Sequence, residues 1–173
     1  MKHVNVALFV PHAGCPHQCS FCNQKTISGS IKPLTPEDVT AACDIAKNGG
    51  VTRETSEIAF FGGSFTAVDR DYMVSLLEAA KPYIDGGYFG GIRISTRPDA
   101  IDDERLEILK KYHVTSIELG AQSMDDSVLK INRRGHTAKD VENASHLIKS
   151  YGFSLGLQMM TGLMGDTDEK CIK

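Results

Sequence analysis

Cys15, Cys19 and Cys22 fall within eight residues, spaced C-x3-C-x2-C, and make up three of the five cysteines in the chain. The apolar run at residues 4–10 directly before them predicts a strand, which puts the three thiols in a loop at a strand end. A loop can turn thiolates this close in sequence toward one point, which suits a metal centre. Iron–sulfur clusters of the four-iron type are held by cysteine thiolates, ordinarily four of them. This loop supplies three, leaving one iron for a different ligand. An open coordination position is what a reactive centre needs and a structural one avoids. Spacing alone leaves other readings open: a non-catalytic zinc-binding module using His12 or His17 as fourth ligand, or three metal-free thiols.

Further stretches carry residue types suited to ligand contact. In Gly62–Gly63–Ser64, two glycines let backbone approach a ligand closely, and free N–H and C=O groups can bind an amino acid moiety; a tight turn is the plainer reading. Ser95–Thr96–Arg97–Pro98–Asp99 reads at minimum as a solvated turn, Pro98 biasing Arg97 toward extended geometry. Gln122 lies in Glu118–Leu119–Gly120–Ala121–Gln122–Ser123, and Asn132–Arg133–Arg134–Gly135–His136–Thr137 follows. Lys130, Arg133, Arg134 and Lys139 would by themselves make a solvated basic face, with His136 structural. Phe21 fills the cysteine loop, and Met159 and Met160 read as core or cavity lining.

The elements that must position these residues alternate between apolar runs and helical patterns, which predicts βα units and a parallel sheet. Strands are expected at residues 4–10, 58–61, 91–96, 116–120 and 153–160. Thr35–Pro36–Glu37–Asp38 and Thr137 with Asp140 are helix starts, closed by Gly49–Gly50 and Gly152. Met73, Leu76, Leu77, Ala80 and Ile84 mark a helix ending at Gly86–Gly87; another spans residues 103–112, and one begins at Thr167. Residues 124–136 read as a polar segment. Cys43 lies on the buried stripe of its helix, as a small core residue. In parallel α/β folds ligands gather at the C-terminal ends of strands, and each unusual stretch falls there, Gln158 included.

With Phe21 just before the third cysteine, the C-x3-C-x2-C motif resembles the radical S-adenosylmethionine enzymes. The remaining motifs look most like the Elongator catalytic subunit branch. The resemblance implies a [4Fe-4S] cluster on Cys15, Cys19 and Cys22, with S-adenosylmethionine chelating the fourth iron and cleaved to a 5′-deoxyadenosyl radical. It implies cofactor contacts at Phe21, Gly62, Gly63, Ser64, Ser95, Arg97, Gln122, Arg134 and Gln158. In that alignment Gln122 faces the ribose and Arg134 the carboxylate, which a guanidinium fork fits. Two positions depart from the pattern: Ser64 and Ser95 stand where relatives carry acidic residues. The family fold is a six-unit partial (β/α)6 TIM-like barrel. Residues 1–173 are therefore expected to be its core domain, with five units present and the C-terminal part of the barrel missing. An uncovered fifth strand is expected to promote self-association. The implied substrate is a tRNA base or, as in the porphyrinogen branch, a small molecule; the implied electron donor is of flavodoxin or ferredoxin type.

Composition bounds this reading. With 41% hydrophobic and 24% charged residues the chain is ordinary for a globular domain, and a net charge of −3 gives no global attraction to polyanions. No stretch approaches the roughly 18 apolar residues of a membrane helix. Clustered, odd-numbered cysteines argue against a secreted disulfide framework, so a cytoplasmic location and no membrane partner are expected.

Overall fold

Strand and helix alternate because each apolar run is followed by a polar side chain able to cap a helix. In the computed structural model, which describes residues 3–10, 18–22 and 32–171, the order is β1 (Val4–Val10), α1 (Pro36–Asn48), β2 (Ser56–Gly62), α2 (Arg70–Asp85) and β3 (Ile92–Thr96). There follow α3 (Asp103–Lys111), β4 (Val114–Gln122), α4 (Asp126–Ile131), α5 (Ala138–Ser150), β5 (Ser154–Met159) and α6 (Asp168–Cys171). Both expected capping boxes form: the Thr35 hydroxyl accepts the Asp38 N–H at 3.3 Å while Asp38 accepts the Thr35 N–H at 3.0 Å, and Thr137 and Asp140 repeat the pattern. Asp69, Asp102 and Asp125 cap the starts of α2, α3 and α4. Each such cap contributes about 1 kcal/mol.

The strands are all parallel in the order β1-β2-β3-β4-β5. Chain order equals spatial order, the winding of a barrel wall rather than of a doubly wound sheet. The sheet is not closed, so the fold is the expected partial TIM-like α/β barrel with five strands. One face, carrying Ile58, Phe60, Ile92, Ile94, Ile117 and Leu119, is buried in a core with Val39 and Cys43 of α1, Leu76 and Leu77 of α2, Leu106 and Leu109 of α3, and Val141 and Ile148 of α5. Burial pushes the Cys43 thiol up to about 12, as befits a core residue. On the other face Arg93 bridges Glu57 at 2.9 Å and Glu118 at 3.1 Å.

Two features differ from expectation. Residues 126–131, read as polar segment, form α4: Asp125 accepts the N–H groups of Ser127 and Val128, and the turn buries Val128 and Leu129. β4 runs nine residues, beyond the expected 116–120, because β3 pairs with it as early as Val114 and β5 as late as Gln122. β5 is an edge, with Leu157 49% and Met159 45% exposed. No helix among the described residues is long and apolar enough to cross a membrane.

Candidate functional site

The C-terminal ends of β2 to β5 and residues 19–22 surround one cavity of about 300 Å³. Gly62 and Gly63 line it from β2, Ser95 and Arg97 from β3, and Gly120 and Gln122 from β4. Arg134, Gln158, Phe21, Cys19 and Cys22 complete the wall, together with Thr96 and Met160. Residues as far apart in sequence as Cys19 and Met160, singled out for separate reasons, thus meet at one place. Ser64 alone among the described candidates is absent from the lining. Cys15, like His12 and His17, lies outside the described residues.

The wall built by β2 and β3 satisfies its own polar groups. The Thr66 hydroxyl donates to Ala100 O at 2.5 Å, so Thr96 must donate to Thr66 at 2.5 Å, and Ser64 to Thr96 at 2.9 Å. The Ser64 oxygen in turn accepts the Arg97 N–H at 3.2 Å. This one-directional chain, whose member Thr96 lines the cavity, holds the backbone amide of Arg97. The Arg97 guanidinium, buried, bonds both Asp99 carboxylate oxygens, at 2.9 and 3.1 Å, and donates to Arg134 O at 2.5 Å. Gly62 is required here. Its φ is +122°, and a Cβ would lie 2.3 Å from Val10 O.

The β4 wall is built differently. A register shift between Gly120 and Gln122 makes a bulge, and Gln122 adopts φ 69°, a costly conformation for a residue with a Cβ. The bulge lets Gln122 O accept the Met160 N–H at 2.9 Å while its side chain turns to the cavity. Arg134 donates to Gly120 O at 2.6 Å and to Cys19 Sγ at 3.4 Å, with its guanidinium carbon 5.8 Å from the centre of the Phe21 ring. Gln122 Oε1 and Arg134 Nε are buried without a partner among the described residues. Such atoms are costly unless something completes them. His136 sits behind this wall, its Nε2 3.1 Å from Ala121 O. Burial, and then the Arg134 charge, push its pKa down to about 4, so it is neutral at pH 7 and structural, as expected.

These residues fit an anionic, thiolate-held centre and an amino acid-like ligand. Arg134 sets a cation beside the Cys19 sulfur, Gly62 and Gly120 hold backbone where side chains would intrude, and the β4 wall carries one acceptor and one donor with no partner among the described residues. Among the described residues no trio of His, Cys, Asp or Glu converges as metal ligands. Two contributors are missed by sequence reading. Thr96 is marked only as the last residue of the third strand, and Thr66 follows a glycine motif with nothing to mark a hydroxyl chain.

Comparison with known proteins bears on the family and the fold. The chain is 25% identical over 198 residues to the tRNA uridine(34) acetyltransferase of Dehalococcoides mccartyi, covering 95% of this chain and 43% of the relative. It is 25% identical over 170 residues to the oxygen-independent coproporphyrinogen-III oxidase-like protein HemZ of Bacillus subtilis, covering 93% of this chain and 34% of that protein. Among solved structures, the Elp3 of the archaeon Methanocaldococcus infernus superposes with a TM-score of 0.70 at 20% identity, covering 98% of this chain and 41% of that one. The chain thus spans less than half the length of each. The family model described as the Radical SAM superfamily matches residues 9–173, nearly the full length, and the chain belongs to that superfamily.

Proposed function

We propose that the cavity is the S-adenosylmethionine site of a radical enzyme, with a [4Fe-4S] cluster held by Cys15, Cys19 and Cys22. The observation that carries this reading is the convergence of the glycine, arginine and glutamine motifs on Cys19 and Cys22 around one cavity. The chemistry such a cluster supplies when bound is one-electron cleavage of S-adenosylmethionine to methionine and a 5′-deoxyadenosyl radical, the electron coming from a flavodoxin- or ferredoxin-type donor. The protein's part is to bind, orient and exclude side reactions. The backbone at Gly62 and Gly63 receives the amino group, and Arg134 Nε completes itself on the carboxylate. Gln122 Oε1 and Gln158 take the ribose hydroxyls, and Phe21 lies against adenine. Arg97 contributes as a wall, its guanidinium engaged by Asp99 and the Arg134 carbonyl. Ser95 lines the cavity beside Glu118, whose carboxylate its hydroxyl meets at 3.4 Å. Ser64 acts from beneath, through Thr96 and the Arg97 amide.

A tRNA base is the proposed substrate, on the strength of the relative named for tRNA uridine(34). The HemZ likeness supports a small molecule as the second reading. Reduced, anaerobically reconstituted protein should form 5′-deoxyadenosine from S-adenosylmethionine, slowly without substrate. Arg134→Ala should weaken cofactor binding by about 1.5–3 kcal/mol, the range for a charge-assisted hydrogen bond, and Arg133→Ala much less. No 5′-deoxyadenosine from cluster-loaded protein would overturn the activity, and equal affinities for wild type and Arg134→Ala would overturn that contact. Faster turnover with unmodified tRNA than with porphyrinogen would decide between substrates.

A further inference from the structure

Asn132, at the end of α4, is 1% exposed, and every polar atom it has is committed. Its Nδ2 donates to Val128 O at 2.8 Å and to Met164 O at 2.9 Å. Both amide hydrogens are thereby used, so Oδ1 is left as an acceptor, and it takes the Ser20 hydroxyl at 2.7 Å. Its backbone N–H donates to Val128 O at 3.1 Å, and its carbonyl accepts the Ser20 N–H at 3.2 Å. One buried side chain therefore ties together α4, the segment at Met164, and the segment carrying Cys19 and Cys22. Two positions on, Arg134 reaches Cys19 Sγ from the same turn, while Arg133 between them takes φ 55° and stays exposed.

We infer that Asn132 is a positioning residue: through Ser20 it docks residues 18–22 onto the β4 side of the barrel and so presents Cys19 and Cys22 to the cavity before any metal is present. This rests on the proposed reading of those cysteines as cluster ligands, and it adds the groups that orient them. Neither the cysteine spacing nor the basic run around residue 133 marks Asn132 for such a role. The geometry does, because Ser20 lies between the two thiols and uses both its backbone and its side chain on one residue. Outer partners that hold metal ligands in place typically govern about ten- to a hundredfold in metal retention.

The test has two arms on the intact protein. In metal-free protein, hydrogen exchange should show the Ser20 amide protected, and Asn132→Ala should lower that protection, because the carbonyl that accepts the Ser20 N–H survives while the side-chain ties to Ser20 and Met164 that hold it in place are lost. In reconstituted protein, Asn132→Ala should speed iron loss to a chelator by about tenfold or more. Ser20→Ala should do so to a smaller extent, with Ser20→Thr restoring retention and Arg133→Ala leaving it unchanged. Should Asn132→Ala fail to fold, Ser20→Ala on the exposed side still decides the matter, its unfolding midpoint serving as control. A freely exchanging Ser20 amide in the wild type, or wild-type iron retention in a folded Ser20→Ala, overturns the docking role. A protected Ser20 amide in wild-type protein that takes up no iron supports the dock and overturns the cluster reading instead.

Discussion

The two walls of the cavity are built on opposite principles. On the β2 and β3 side, Ser64, Thr96, Thr66 and Ala100 O form a continuous chain of hydrogen bonds, and Arg97 is held by Asp99 and the Arg134 carbonyl. On the β4 side the backbone carries a bulge and a positive φ at Gln122, and three buried polar atoms, Gln122 Oε1 and Arg134 Nε at the cavity and His136 Nδ1 behind it, have no partner among the described residues. The first wall spends its polar groups on stability, and the second withholds them. Strain and unpaired buried atoms are kept where the surroundings over-determine them, which is commonly at a ligand site. In the proposed reading the side chains of the first wall are scaffold and only its Gly62–Gly63 backbone meets the ligand, whereas the second wall offers side chains.

The comparison breaks most visibly at Gly62. Gly62→Ala places a Cβ 2.3 Å from Val10 O at a φ of +122°, so it should lower unfolding free energy by about 3 kcal/mol or more, through strain and overpacking. Urea unfolding of the two proteins measures this.

Next in size is a pH effect behind the second wall. The folded-state pKa of His136 is depressed to about 4 from 6.5, so only the unfolded chain takes up a proton between those values. No cost exists above pH 6.5. As pH falls from 6.5 toward 4, stability is lost, reaching roughly 3 kcal/mol from this one group. Comparing urea unfolding of wild type and His136→Gln at pH 7 and pH 4.5 isolates it: the gap between the two should shift in the variant's favour on acidification.

Thr96→Val removes the central link of the hydroxyl chain and should cost about 2 kcal/mol, since Ser64 loses its acceptor and Thr66 a donor. Gln122→Gly lies at the other extreme. Relief of the positive φ should stabilise the fold by about 1 kcal/mol, while cofactor affinity falls with the lost side chain. A variant that gained neither stability nor lost affinity would erase the distinction between the walls.

Much of this frame is legible in the sequence because it is local. Thr35 with Asp38 and Thr137 with Asp140 announce their helices three residues ahead, and the apolar run at residues 4–10 coincides with β1. The cavity's members are legible too, since strand ends collect ligands in such folds. The short α4 is not, because six residues hold less than two turns of periodicity. The bulge at Gln122, the hydroxyl chain from Ser64 and the tie from Asn132 to Ser20 depend on residues 30 to 112 positions apart, and no local pattern encodes them.

The most direct measurement is metal and sulfide content after anaerobic reconstitution, for wild type and single cysteine variants. The account predicts iron and acid-labile sulfide at about four each per chain. Both should be lost in Cys15→Ala, Cys19→Ala and Cys22→Ala and kept in Cys43→Ala and Cys171→Ala, whose thiols lie in the core and on α6. One zinc per chain with no sulfide, or loss of the cluster in Cys43→Ala, would contradict it.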